Sequence, residues 1–413
     1  MRDIGDYILL YNETKEVSTS LGNTIGGCLR DRQTQEAIPS CYVVLEGGGL
    51  GTVTNLEGKF ILKIPDSLSS CPIVVSHIGY RSRTLSQEVF VGGNPDIYLD
   101  PVFIQLQEVV VRYVPAQKIV REMIDNLSKN YSNDPVFFTS FYREGAEYGG
   151  AFLSLSEGVC QIYKRGLNSM GSDQVKLLKM RNIDNPNFGD SILVKIQAGI
   201  RASLLLDIVQ ALPDFLSSNR ENDYLFMRAG MKYDDLRMAH IVAFEQKPGV
   251  EEPLFSGRLY IDAQHWTLLM AEYEINPKFV KEVGPNYVIR KSKNTEVEPQ
   301  KIAYSVTYRQ WNDFYYVSHV RGDLQFKIKR KKSLFWSSRT LSAFFEMVTC
   351  DIDDRDVHRF PNRERLPTTQ IFSQTSFEYD ADFWERFNTI VPETKITDAI
   401  SKLLLNVKES REE

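Results

Sequence analysis

The stretch Gly51-Thr52-Val53-Thr54-Asn55-Leu56-Glu57-Gly58-Lys59-Phe60-Ile61-Leu62-Lys63-Ile64-Pro65 constrains the fold more than any other part of the chain. Residues 52–54 are short and β-branched, which suits a strand. Asn55-Leu56-Glu57-Gly58 is a turn in which Gly58 is free to take a positive φ. Phe60, Leu62 and Ile64 alternate with Ile61 and Lys63, the period of two of a strand with one buried face. Pro65 ends it. A chain built this way folds into β-structure with short turns, and nothing in the stretch carries catalytic chemistry.

The same punctuation surrounds it. Strands are expected at residues 24–29, 41–46, 73–76, 84–91 and 97–99, separated by Asp31-Arg32-Gln33-Thr34, Gly47-Gly48-Gly49 and the Ile78-Gly79-Tyr80 corner. Seven short strands over residues 23–100 predict a β-sandwich of immunoglobulin-like size. With 413 residues, length alone allows roughly two or three domains.

Ile25-Gly26-Gly27, Ala37-Ile38-Pro39, the stretch 51–60, Ser76-His77-Ile78-Gly79-Tyr80 and Leu106-Gln107-Glu108-Val109-Val110-Val111 occur in an order that resembles the carboxypeptidase-regulatory-like domain, a transthyretin-like sandwich. The resemblance implies an accessory module, not a peptidase. Such modules stand at the N-terminus of TonB-dependent outer-membrane receptors and of many Gram-negative envelope proteins. In those receptors the tail leads into a plug and a large barrel. Here about 300 residues follow, and they do not read that way.

Residues 1–22 are expected to be a leader, and residues 101–115 a linker. Met1-Arg2-Asp3-Ile4-Gly5-Asp6 lacks the basic region and apolar core of a signal peptide. The chain therefore reads as cytosolic or as a mature form with an added Met1; the family resemblance points to the cell envelope, at the periplasm or the periplasmic face of the outer membrane. No run approaches the ~18 apolar residues of a transmembrane helix.

Residues 116–378 predict an α+β domain on a long curved antiparallel sheet with a few helices. A helix is expected over 115–130, with Ile119, Val120, Met123, Ile124 and Leu127 on its apolar face and Pro115 in its first turn. Strands follow at 136–144, 151–164, 174–183, 223–231, 238–246, 255–262, 267–275, 301–311, 315–329 and 342–351. A second helix is expected over 198–212, with Ile200, Leu204, Leu205, Ile208, Val209 and Leu212 on one face and Pro213 as its stop. Asn312-Asp313 and Arg330-Lys331-Lys332 read as hairpin breaks. The strand pair 257–262 and 266–274 resembles the lipoprotein-carrier (LolA-like) half-barrel. Residues 379–413 predict an aromatic segment, with Phe383, Trp384 and Phe387 as packing residues, and a docking helix over 395–407.

Candidate chemistry is sparse. The five histidines, His77, His240, His265, His319 and His358, show no metal-ligand spacing. No nucleophile elbow, phosphate loop or dinucleotide fingerprint occurs, so no catalytic residue, cofactor or metal is assigned. Gly47-Gly48-Gly49 connects two strands and reads as a turn. Asp234-Asp235 and residues 351–356 are acidic; the second is a Ca²⁺ candidate or a solvated loop. The five cysteines, Cys28, Cys41, Cys71, Cys160 and Cys350, read as small buried hydrophobes or as a Cys28–Cys41 or Cys41–Cys71 bridge. Arg143-Glu144 reads as a local ion pair. Lys327, Lys329, Arg330, Lys331 and Lys332, followed by Phe335 and Trp336, form the one basic run: a membrane-surface hairpin or a solvated one.

The net charge of −5 argues against nucleic acid as a partner. The expected function is a non-enzymatic envelope binding or assembly protein, with a lipid or a hydrophobic protein segment in the concave sheet and an outer-membrane or periplasmic protein as partner. The alternatives are a hydrolase of glycan or peptide use carrying the sandwich as an accessory, and an interaction module that uses a sandwich edge strand.

Overall fold

The structure is a computed structural model; it describes residues 23–47, 49–102, 114–185, 194–196, 199–234, 237–291, 295–332, 335–367, 372, 390–398 and 401. The leader, the Leu106–Val111 tail, Asp235, and Phe383, Trp384 and Phe387 lie outside the described residues.

The first seven strands are β1 (Asn23–Asp31), β2 (Tyr42–Leu45), β3 (Gly51–Val53), β4 (Lys59–Ile64), β5 (Ile73–Ser76), β6 (Arg83–Leu85) and β7 (Asp96–Leu99). They form two sheets, β4-β1-β7 and β3-β2-β5-β6. Phe60, Leu62 and Ile64 point into the space between them and meet Ile25, Leu29, Val43, Ile73, Val75 and Leu99. The Asn55 side-chain oxygen accepts from the backbone N–H of Glu57 and of Lys59, both at 2.9 Å. This holds the turn, and Gly58 takes φ +75°. A Cβ there would lie 2.5 Å from the Leu29 carbonyl oxygen. The expected strand over 84–91 is corrected: β6 ends at Leu85, Ser86 caps a 3-10 turn over Gln87–Phe90, and the Gln87 amide donates to Leu68 and Cys71 carbonyls.

Next come α1 (Ala116–Asp125), α2 (Leu127–Asn130), β8 (Val136–Tyr148), β9 (Ala151–Lys164), β10 (Gln174–Asp184), β11 (Val194–Ile196), α3 (Ile200–Leu205), α4 (Ile208–Ala211), β12 (Tyr224–Asp234), β13 (Arg237–Gln246), β14 (Phe255–Asp262) and β15 (Leu268–Ile275). The order continues with α5 (Gly284–Tyr287), β16 (Val288–Lys291), β17 (Thr295–Trp311), β18 (Phe314–Lys332) and β19 (Phe335–Asp353). Ten of these strands make one antiparallel sheet in the order β10-β9-β8-β19-β18-β17-β15-β14-β13-β12. Most neighbours are sequence neighbours, but β8 pairs with β19, closing about 200 residues. Register shifts, as at Leu177/Lys179, Arg228/Gly230 and Thr307/Tyr308, bend and twist the strands locally.

One face of this sheet carries Phe138, Tyr142, Ile162, Phe244, Leu259, Tyr273, Leu324 and Phe345. The first helix packs on β12 and β13, and α3 packs on β18 and β19. The other face receives the sandwich.

Several expectations need correction. The helix over 115–130 starts after Pro115, which is its N-cap, and breaks at Asn126, whose amide donates to the Glu122 carbonyl at 2.8 Å. The helix over 198–212 is two short pieces, and Leu205 and Leu212 are 58% and 40% exposed instead of facing the core. Arg330, Lys331 and Lys332 remain in β18, so the hairpin turn falls after them. The β11–β16 pair was not foreseen; it is too short to give a periodic signal.

Candidate functional site

Two buried polar assemblies stand out, one on each face of the large sheet. On the helix-bearing face, Lys164 ends β9. Its Nζ lies 2.7 Å from Asp173 Oδ2, 2.8 Å from Asp207 Oδ2 and 2.5 Å from Gln210 Oε1. Tyr308 of β17 donates to Asp207 Oδ1 at 2.9 Å and accepts from the Val209 N–H at 3.3 Å. Burial alone would lower the Lys164 pKa, but Asp207 and Asp173 outweigh it and raise it. The amine is thus held as a cation, not as a base or nucleophile. The assembly explains why the second predicted helix breaks: Asp207 is drawn out of helical geometry, at ψ 85°, to pair with the lysine. The cavity beside it, lined by Tyr131, Lys164, Asp207, Gln210, Tyr308 and Tyr315, holds about 30 Å³, room for one or two waters.

On the sandwich face a row of charges crosses eight strands in direct register. It runs Arg181 (β10), Glu157 (β9), Arg143 (β8), Glu346 (β19), Arg321 (β18), Ser305 (β17), Glu272 (β15) and Arg258 (β14). Opposite charges face one another from Arg181 to Arg321 and again at Glu272–Arg258, with the neutral Ser305 between the two runs, and facing opposite charges are the favourable cross-strand arrangement. Arg143 is fully buried. Its Nε donates to Glu346 Oε1 at 2.9 Å, and its Nη2 also contacts that oxygen. Glu393 Oε1 lies 3.6 Å away. His319 Nε2 and Arg321 Nη1 approach Glu346 Oε2 at 3.4 and 3.3 Å. Burial would raise the Glu346 pKa, but Arg143, the His319 hydrogen bond and Arg321 hold it far below the usual carboxylate range. The expected local Arg143–Glu144 pair is corrected: Arg143 points to the sandwich face, whereas Glu144 accepts from Tyr142. Adjacent strand residues face opposite sides.

The sandwich sits over the middle of this row, whereas Glu272 and Arg258 are exposed. Val53 meets Phe141, Val159, Val348, Cys350 and Ile390 in a small apolar seam. The Tyr42 hydroxyl reaches Thr307 Oγ1 at 2.6 Å and also contacts Ser318 Oγ. Arg309 donates to the Gly49 carbonyl at 2.6 Å. The segment around 390–394 straps both units: Arg143 donates to Ile390 O, Asn55 to Val391 O, and the Thr394 N–H to Glu57. Gly79 abuts Lys232 of β12; a Cβ on Gly79 (φ +96°) would lie 3.3 Å from the lysine stem. Burial, with Lys232 adding to it, lowers the His77 pKa to about 4.

The residues singled out in the sequence fall elsewhere. In the basic run Lys327 is exposed, and Lys329 pairs with Glu298 at 3.1 Å. The side chains of Lys331, Lys332, Phe335 and Trp336 lie outside the described residues. Cys28, Cys41, Cys160 and Cys350 are buried, Cys71 is half-buried, and all five are free thiols, so neither bridge forms. Asp353 of the acidic loop pairs with Arg355 at 2.8 Å. Among the described residues no group of acidic, His and Cys side chains is placed to hold a metal ion, and no helix is long and apolar enough to cross a membrane. Sequence reasoning missed Lys164 and Asp207. The one available signal was a charge inside an apolar run, Lys164 after Ile162-Tyr163 and Asp207 between Leu206 and Ile208.

Residues 25–111 match the family model described as the CarboxypepD_reg-like domain, as the motifs suggested. No curated protein matches the chain. Among solved structures, a DUF1329 family protein from Desulfovibrio piger is similar at 11% identity, covering 60% of this chain and 96% of its own, with a TM-score of 0.26. MucB in complex with MucA(peri) is similar at 11% identity, covering 57% and 98%, TM-score 0.19. A membrane-associated protein of unknown function from Bacteroides fragilis is similar at 10% identity, covering 80% and 98%, TM-score 0.15. These scores are too low to establish a shared fold.

Proposed function

We propose that the chain is a non-enzymatic binding and assembly protein of the cell envelope, which holds an acyl chain against the helix-bearing face of its ten-stranded sheet. The observation that carries this reading is the commitment of the opposite face. There the sandwich, the middle of the charge row and the 390–394 strap are joined by buried contacts, so the centre of that face is taken up by the protein's own packing. The helix-bearing face is apolar and rich in aromatic rings. It is covered by a broken helix whose Leu205 and Leu212 are exposed. The cavity beside Lys164 is too small for an acyl chain, so the chain lies along α3 and α4. The envelope setting rests on the CarboxypepD_reg-like sandwich, which resembles modules of envelope proteins. A hydrolase reading gains nothing from Lys164, Asp173 and Asp207, because both carboxylates are tied to the same ammonium.

The test is native mass spectrometry before and after organic extraction. A co-purifying mass of lipid size is expected. It should vanish on extraction and diminish in a Leu205→Ser, Leu212→Ser variant. A clean apo mass that persists after incubation with envelope lipids would overturn the reading.

A further inference from the structure

We propose that the outer end of the β18–β19 ribbon is a docking surface for an anionic lipid bilayer. The ribbon is charge-asymmetric in a way the chain as a whole is not. Between Leu324 and Thr340 stand Lys327, Lys329, Arg330, Lys331, Lys332 and Arg339 with no Asp or Glu, in a protein of net charge −5.

Topology places this charge at an extremity. The β18–β19 register runs unbroken from Lys327↔Thr340 to Lys332↔Phe335. On one side β8 leaves β19 after Leu341↔Tyr148. On the other, β17 leaves β18 after Thr295↔Arg330. Past Arg330, at Lys331↔Trp336 and Lys332↔Phe335, β18 pairs with β19 alone among the described residues. Lys327 and residues 337–340 are exposed. The facing strand offsets only part of the charge: Glu298 takes Lys329 at 3.1 Å and Lys281 at 2.9 Å, and Glu296 stands opposite Lys329 in register. Phe335 and Trp336 share the ribbon end with Lys332 and Lys331 in register, so cationic and aromatic positions coincide where a bilayer surface would meet them.

The partner fits by chemistry. Cationic positions spread along a ribbon suit a laterally mobile anionic surface better than a shaped ligand. Each Lys or Arg near such a surface strengthens binding about fivefold. Salt screens the attraction, because the Debye length shrinks from about 10 Å at 0.1 M to about 3 Å at 1 M.

The experiment is co-sedimentation of the full chain with two vesicle preparations, phosphatidylcholine alone and phosphatidylcholine with about 30% phosphatidylglycerol. Binding is expected to the anionic vesicles only, with loss near 1 M salt. A Lys327→Gln, Lys331→Gln, Lys332→Gln variant should bind on the order of 100-fold more weakly, with an unchanged circular dichroism spectrum and thermal midpoint. Absence of binding to the anionic vesicles, or equal binding by the variant, would overturn the proposal. Equal binding to both vesicle types would also overturn it, and would move the membrane contact to the apolar helix-bearing face. The inference does not depend on the acyl-chain reading.

Discussion

At the scale of single residues, Arg143 decides more than any apolar side chain. It is fully buried and surrounded by Glu346, Glu393 and Glu157. A buried ion pair adds little over an apolar replacement of the same shape, but removing one partner leaves the others as uncompensated charge. Arg143→Met should therefore cost about 3–5 kcal/mol in chemical denaturation. A second change, Glu346→Gln, should recover part of that loss. Two groups with the same sign contribute to the pH dependence. Glu346 is held below its unfolded value of 4.5 and His77 below its unfolded value of 6.5. Each contributes fully above its unfolded value and loses the contribution as pH falls. Stability should be flat above pH 6.5, decline between 6.5 and about 4 as the unfolded chain takes up the His77 proton, and fall again below 4.5. The His77 share is at most about 3 kcal/mol, and smaller because the ring is only partly enclosed. Thermal melts across pH 3–8, repeated in His77→Phe, check this: the variant should have a smaller upper step, keeping the part from His240, whose pKa burial also lowers, and should keep the lower step.

At the scale of elements, register and helix breaks are set by polar pairs more than by propensity. The row from Arg181 to Arg258 pairs opposite charges only in one alignment; a two-residue slip keeps every apolar face yet separates the charges. The same holds for the α3–α4 junction. Residues 198–212 have the apolar spacing of one helix, and local propensity favours it. The pull of Lys164 on Asp207 wins, because an unpaired buried ammonium costs far more than one lost helical turn. Lys164→Met should thus destabilise by about 3–5 kcal/mol, since it strands Asp173 and Asp207. In addition it should free residues 206–208, which faster amide exchange there would report. Unchanged exchange would mean that the break has another cause.

At the scale of the whole molecule, the sandwich and the sheet are expected to unfold together. Their contacts mix an apolar seam with buried hydrogen bonds, and the 390–394 strap crosses both. Phe141→Ala, at the centre of the seam, should cost about 3–5 kcal/mol and lower one shared transition, read by tyrosine fluorescence and far-ultraviolet circular dichroism alike. Two separated transitions in the unmodified chain would contradict this coupling.

How much of this was legible follows from distance along the chain. The sandwich strands, the Asn55–Gly58 turn and most long strands of the sheet were readable, because alternation and turn residues act over a few neighbours. The motif Ser76-His77-Ile78-Gly79-Tyr80 was recognised, but its place against Lys232 was not. Arg143 is adjacent to Glu144 in sequence, but its partner, Glu346, lies 203 residues away and leaves no local signal. By itself the sequence determined that the chain would be β-rich, with a sandwich first and long antiparallel strands after it. The placing of β8 beside β19, the charges that meet in register and the break in the second helix came from long-range packing. Those outcomes depend on closing long loops and on desolvating charges together, and neither leaves a periodic trace in the sequence.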